Sequence, residues 1–192
     1  MSDSTKERIL SSAKELFSQK GYHETTVEDI VRRAELSKGA FYFYFESKED
    51  VVKELTELMV EKTLNIMDRW LAKDLSAEDM IKGHIKDFLV ECYEDRFISY
   101  IFFFELMCKE EFRSLHFEKL KRIKERLAKM VKRGFERGEF KCGNEELVVY
   151  TVMGFVRVVY LELLLLQNRS LEEVLSFTEA GLELILRGLK CE

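Results

Sequence analysis

Apolar positions recur three and four apart along almost the whole chain, the spacing of helices rather than strands. Ile9, Ala13, Leu16 and Phe17 form one face of a first helix that ends near Gly21. Thr26 can cap a second helix, with Asp29 three residues later in a capping-box arrangement and Ile30, Val31 and Ala34 facing inward. Ser37 can cap a third. Ser47, followed by Asp50, can cap a fourth and longer helix to about Trp70. Ser76 opens the next, with Met80, Ile81, Ile85, Phe88 and Leu89 as its apolar face. The run ISYIFFFELM follows, then a charged helix from about Leu115 to Arg137 that turns Leu120, Ile123, Leu127 and Val131 inward. Gly138 is a stop signal, EFKCGN reads as a loop, and Asn144 can cap a helix to about Gln167 that is apolar on nearly every side. Ser170 and Glu173 form a last capping box, opening a helix that ends near Gly188.

This pattern predicts an all-α chain. At 192 residues and 46% hydrophobic content it can bury a substantial core, and 35% charged residues give it a solvated surface. The longest apolar stretch, Val148 to Leu166, contains Arg157 and Glu162, so no membrane span is expected. The N-terminal MSDSTKERIL is polar and lacks an apolar signal segment, which points to the cytoplasm. Cys92, Cys108, Cys142 and Cys191 show no CxxC spacing and are expected to be reduced. The absence of proline agrees with long helices.

The net charge of −5 argues against a generic nucleic-acid coat protein, and residues 1–60 hold nine Lys/Arg against twelve Asp/Glu. Any contact with nucleic acid must come from local placement of a few cations, helix N-termini and hydroxyls. One segment offers that placement. FYFYF taken alone reads either way, because alternating aromatics favour a strand. The flanking serine caps favour a short helix, which sets Phe41 and Phe45 four apart, where both can close the core of a three-helix unit. Tyr42 and Tyr44 then offer hydroxyls to phosphate oxygens. Phe43 can touch a thymine methyl or pack on the fourth helix. Lys38 can reach a guanine edge or a phosphate, Gly39 and Ala40 let the backbone approach a duplex, and Lys48 offers a phosphate clamp.

FSQKGYHETTVEDIVRRAELSKGAFYFYFESKEDVV resembles the DNA-binding domain of TetR-family transcriptional regulators over roughly residues 5–55. The resemblance rests on F-x-x-x-G-Y after the first helix, T-T-V-x-D-I opening the second, and S-K-G-x-F-Y-x-Y-F-x-S-K-E-D, all in register. It implies that Ser37 to Phe45 is a recognition helix. It further implies that Thr26, Lys38, Gly39, Ala40, Tyr42, Tyr44 and Lys48 lie at or near DNA, with Phe41 and Phe45 in the core. Two departures are visible. Glu35 stands where the family often has glycine, so it has to accept φ > 0. The Glu28–Asp29 pair lies near the DNA side and restricts the tolerated sequences.

Beyond about residue 55 the resemblance is one of architecture, implying a helical ligand-binding domain whose last two helices form a dimer interface. The expected organisation is a three-helix helix-turn-helix DNA-binding domain at 1–50, joined through the long fourth helix to an effector-binding and dimerisation domain at 51–192. LVVYTVMGFVRVVYLELLLL is too apolar for a helix with one exposed face, and Gly154 allows close helix approach. Val149, Val152, Val156, Leu163, Leu175 and Leu182 are the candidate dimer contacts. Phe88, Tyr100, Phe103, Phe104, Met107, Phe155 and Tyr160 point to a small apolar or aromatic effector, and Arg157 to a partner in Glu105, Glu162 or an anionic ligand. His84 and His116 lie too far from other ligand-type residues in sequence to mark a metal site. No H-E-x-x-H, P-loop or G-x-G-x-x-G is present, so neither an enzyme nor a cofactor is expected. The reading is a cytoplasmic homodimeric repressor released from a palindromic operator on double-stranded DNA by its effector. The alternative is a dimeric helical DNA-binding or protein-interaction module without an effector.

Overall fold

The computed structural model describes residues 4–190. Every element among them is helical: α1 (Thr5–Lys20), α2 (Val27–Arg33), α3 (Lys38–Tyr44), α4 (Lys48–Leu71), α5 (Ala77–Glu94), α6 (Arg96–Tyr100), α7 (Glu110–Glu136), α8 (Glu145–Val158) and α9 (Leu171–Arg187). Two π-helical segments, Ile101–Leu106 and Val159–Leu166, continue α6 and α8. The chain divides into two compact units, Met1–Met59 with Phe97–Arg113 and Val60–Arg96 with Ser114–Glu192.

The caps expected from the sequence are present. Thr26 and Asp29 make a reciprocal box at α2, Ser170 and Glu173 another at α9, and Ser37, Ser76 and Asn144 each accept a backbone N–H at the starts of α3, α5 and α8. The Ser47 hydroxyl accepts from the Asp50 amide at 3.2 Å. Glu35 takes φ +53°, as a residue in a tight turn after α2 must. The turn closes through Leu36 N–H to the Val31 carbonyl at 2.9 Å.

In the first unit α1, α2 and α3 pack on one another around Ile9, Ala13, Phe17, Ile30, Phe41 and Val51, all 2% exposed or less. α7 starts five residues before the expected Leu115, because Phe112 is fully buried and its ring meets Phe102 at 5.9 Å. Two ion pairs fix that start to α4: Lys109 to Glu49 at 3.2 Å and Lys53 to Glu111 at 3.0 Å.

In the second unit α9 packs against α5, α8 and the second π segment. Met80, Ile81, Ile85 and Leu89 are buried as expected, with Phe88 half-buried. Leu127 and Val131 are buried, while Leu120 and Ile123 are only half-buried. Glu145–Leu166 is one 22-residue helical stretch, long and apolar enough by length and composition to cross a membrane, although it carries Arg157 and Glu162. It packs along α9, and its Tyr160 also meets Phe88 of α5. Cys142 corrects an expectation, since it is disulfide-bonded, whereas Cys92 and Cys108 are free. Its loop is held to the end of α9 by the Lys141 and Cys142 amides, which donate to the Leu189 carbonyl at 2.8 and 3.2 Å. Cys191 lies outside the described residues.

His84 sits inside the second unit, where its Nδ1–H donates to the Met80 carbonyl at 2.9 Å. Burial pushes its imidazole pKa down to about 4. Between the unfolded value near 6.5 and that lower one, the unfolded chain binds a proton the folded chain refuses, so stability falls as pH falls. Going from pH 7 to pH 5 is expected to cost about 2 kcal/mol through this group alone. His116, depressed to about 4 by burial and by the charges of Arg157 and Lys119, adds to the same slope. Thermal unfolding across this range checks the expectation, with His84→Gln showing a shallower decline than the parent.

Candidate nucleic-acid interface

α3 is seven residues long, too short to hold together alone. Two aromatic side chains fasten it: Phe41 is fully buried and Phe45, at its C-cap, is 5% exposed, with ring centroids 5.8 Å apart. Apart from the half-buried Ala40, the rest of the helix turns outward. Tyr42, Phe43 and Tyr44 are 55%, 79% and 42% exposed, so Phe43 stands in solvent rather than on α4. Ser37, Lys38 and Gly39 are exposed and Ala40 half-buried, with the Ser37 hydroxyl accepting from the Ala40 amide at 3.2 Å.

The charged groups around α3 are already paired. Lys38 forms an ion pair with Glu28, which holds the Glu28 carboxyl below the usual carboxylate range and raises the Lys38 ammonium. Asp29 is drawn inward: Lys20 at 2.5 Å, Arg32 at 2.6 Å and the Thr26 hydroxyl at 2.7 Å converge on its carboxylate. The hydrogen bond from Lys20, then those from Thr26, hold Asp29 far below its ordinary range. The two acids therefore differ in kind. Asp29 builds the start of α2, and Glu28 occupies the cation that the recognition surface would use. Thr26 is exposed with its hydroxyl engaged in that cap.

Lys48 faces the protein. Its ammonium donates to the Tyr22 carbonyl at 2.8 Å and the Thr25 carbonyl at 3.1 Å, and lies 4.2 Å from the centre of the Tyr22 ring. Of its three N–H groups two are thus donated to carbonyls. Lys48 thus fixes the turn between α1 and α2 and is not a free phosphate clamp. Burial, with Glu49 alongside, holds the Tyr22 phenol well above its ordinary range. Two residues that the sequence reading missed complete this region. The Arg8 guanidinium donates to the Ala34 carbonyl and so locks the turn at Glu35. His23 bonds Glu105, in the π segment, at 2.6 Å. Both partners are remote in sequence, and no periodicity marks them.

The other candidate residues fall into separate sets. Tyr100, Phe103, Phe104 and Met107 belong to the first unit, and Phe88, Phe155, Arg157 and Tyr160 to the second. Tyr100 and Phe104 are exposed with rings 4.9 Å apart, and Phe103 and Met107 are half-buried. Phe88 meets the buried Tyr160 at 5.5 Å. Phe155 is committed to packing: a Cβ added to Gly181 would lie 2.1 Å from its ring, and it stacks on Phe177 at 6.3 Å. Arg157 is exposed. Glu105 pairs with His23 instead, and Glu162 accepts from Gln167 at 3.1 Å. Among the described residues no group of three His, Cys, Asp or Glu side chains is placed to hold a metal ion.

The candidate dimer contacts require correction. Val149, Val152, Leu163 and Leu182 are 9% exposed or less, so these four belong to the protomer's own core. Val156 and Leu175 are half-buried. The outward face of α8 and α9 consists instead of Leu147, Tyr150, Val158, Phe177 and Leu184, each more than half exposed, with Gly154 among them facing open space.

A capped helix held by two buried aromatics behind a tight turn is the arrangement of a helix-turn-helix DNA-binding unit. The comparisons agree. Residues 9–55 match the model of bacterial regulatory proteins of the tetR family, and residues 79–185, more than half the chain, match the tetracyclin repressor-like C-terminal domain. The chain belongs to the TetR family and is a DNA-binding transcriptional regulator. A transcriptional regulator from Aquifex aeolicus VF5 is 37% identical, covering 95% of this chain and 99% of its own, with a TM-score of 0.76. The HTH-type transcriptional regulator YvdT of Bacillus subtilis is 32% identical over 97 residues, which are 45% of this chain and half of YvdT's own length. The regulator FadR from Bacillus subtilis, solved with stearoyl-CoA, has a TM-score of 0.79 at 21% identity, covering 94% of this chain and 97% of its own, and shows the shared fold alone.

Lys48→Met keeps the aliphatic stem and removes both donated hydrogen bonds. It is expected to destabilise the folded chain by about 1–3 kcal/mol, read as a lower Tm. An unchanged Tm would show that the ammonium does nothing for the turn.

Proposed function

We propose that the protein is a homodimeric repressor released from a palindromic operator by a small apolar or aromatic effector. The observation that carries the reading is the outward face of α3, where Tyr42, Phe43 and Tyr44 stand exposed beside Lys38 and Gly39 while Phe41 and Phe45 hold the helix from behind. DNA contacts are assigned to Thr26, Ser37, Lys38, Gly39, Ala40, Tyr42, Phe43 and Tyr44, with Lys48 contributing its remaining N–H and the position of the turn. Such a unit reads a half-site, and two half-sites about one duplex turn apart need two copies. The apolar outer face of α8 and α9 supports pairing there, with Gly154 permitting close approach. The repressor sense follows the tetracyclin repressor-like family of the C-terminal half. The site of action is the cytoplasm, where the operator is, and no catalytic step is assigned to the chain.

The effector reading rests on aromatic side chains within each unit, Phe88 with Tyr160 in the second and Phe102 with Phe103 in the first, and on the acyl thioester held by FadR. Effector and operator favour different arrangements of the same helices, so only differential affinity can release the DNA. Coupling of this kind is reciprocal: operator must weaken effector binding by the factor with which effector weakens operator binding.

Selection from random-sequence duplexes is expected to enrich a palindrome. On that duplex Lys38→Ala and Tyr42→Ala each lose at least about tenfold in affinity, the order of one charge-assisted hydrogen bond. Glu28→Gln releases Lys38, so it binds more tightly and with a steeper dependence on salt. Leu184→Glu halves the mass in sedimentation and loses operator binding with it. Enrichment of no sequence would discard the regulator reading. A Leu184→Glu protein that stays dimeric would move the interface elsewhere.

A further inference from the structure

We propose that Phe43 determines part of the operator sequence by packing on the C5 methyl group of a thymine in each half-site. The inference rests on the DNA-binding reading of α3 and adds a base preference to it.

Three observations meet at this residue. The first is its position. At 100° per residue Phe43 is two residues from Phe41 and two from Phe45, so it points directly away from the middle of the buried face. Its 79% exposure exceeds that of any other large apolar side chain among the described residues. Folding therefore does not set its identity, and among the described residues its ring meets that of Tyr44, T-shaped at 4.9 Å.

The second is the bare surface beside it. Gly39 lies one turn earlier on the same side, and a Cβ built there would meet only the Ser37 hydroxyl at 3.7 Å. The protein leaves that site open, so a duplex can come closer to the helix backbone next to Phe43 than any side chain would allow.

The third is chemical. Phe43 has neither donor nor acceptor, while Tyr42 and Tyr44 on either side carry hydroxyls suited to phosphate oxygens. The edges of the major groove are lined with hydrogen-bonding groups, and the thymine methyl is the apolar feature among them. An aromatic ring at the centre of the recognition face matches that group and no other base edge. Lys38, the cation of the same helix, is held by Glu28, which leaves more of the discrimination to apolar contact.

The test replaces thymine by deoxyuracil, one position at a time, in the palindrome recovered by selection. Uracil pairs as thymine does and lacks only the methyl. One position in each half-site is expected to lose about fourfold in affinity, and both together about fifteenfold, the worth of one buried carbon per site. Phe43→Ala should bind the thymine and uracil duplexes equally, at the level the parent shows on uracil. Phe43→Leu should retain a preference for thymine. Circular dichroism and Tm should be unchanged in both variants, because the side chain is exposed. Two outcomes overturn the proposal: no position sensitive to uracil, or a uracil penalty that persists in Phe43→Ala. The second would place Phe43 against sugar and give the methyl to another residue. Failure of the DNA-binding reading itself would show earlier, as a selection that enriches nothing before any uracil is introduced.

Discussion

The burial of Phe41 and Phe45 is the constraint on which the reading surface depends. A seven-residue helix has too few internal hydrogen bonds to offset the entropy of ordering its backbone, so α3 exists by virtue of its packing on α1 and α2. Once those two rings are fixed inward, helix geometry dictates where every other residue of α3 faces. Tyr42 and Tyr44 flank the outward line and Phe43 lies on it. A polar substitution at Phe41 would therefore remove the surface as a whole, whereas substitutions at residues 42–44 alter only what that surface reads.

The electrostatics work against the usual picture of a basic reading head. The chain carries −5 overall, and the cations nearest α3 are engaged with Glu28, Asp29 and backbone carbonyls. Association with DNA must exchange protein–protein ion pairs for protein–phosphate ones, so the net gain per cation is small. Long-range attraction is weak for the same reason. Affinity then depends on close fit: helix termini, hydroxyls and apolar contact with bases. Such contacts vanish at a wrong sequence, while phosphate contacts persist everywhere, which favours selectivity over general adhesion.

Local chemistry was the legible part of the sequence. The caps at Thr26, Ser37, Ser76, Asn144 and Ser170 are decided within three residues, and all five occur. The strained turn at Glu35 was likewise visible, because only φ > 0 closes a turn that short. The inward bonds of Lys48 were not legible, for the opposite reason. A lysine at a helix start looks like a phosphate ligand, and only the folded turn shows two carbonyls waiting for it. The early start of α7 was hidden by the charged run around Phe112, whose ring finds its place only against Phe102. The π segments escaped too. IFFFEL and VYLELLLL carry apolar groups on every side, so no period distinguishes one helical register from another, and tertiary packing makes the choice.

The same blindness explains why Val149 and Val152, two of the candidate dimer contacts on α8, lie buried in the protomer. An amphipathic helix announces its inner face through its polar one, but a helix that is apolar all round has two candidate faces of equal weight. Val149 and Val152 went to the protomer's core, and Tyr150 and Val158 stayed outside. The glycines carry the distinction that hydropathy lacks. Gly181 is filled by the ring of Phe155, so its missing side chain serves packing inside the protomer. Gly154, next to Phe155 in the chain, faces nothing within 4 Å. A glycine in mid-helix costs about 1 kcal/mol relative to alanine, and the isolated protomer gains no contact that offsets this. The cost is intelligible if a second helix approaches there. The outer face of α8 then has a physical reason for its shape as well as for its apolarity.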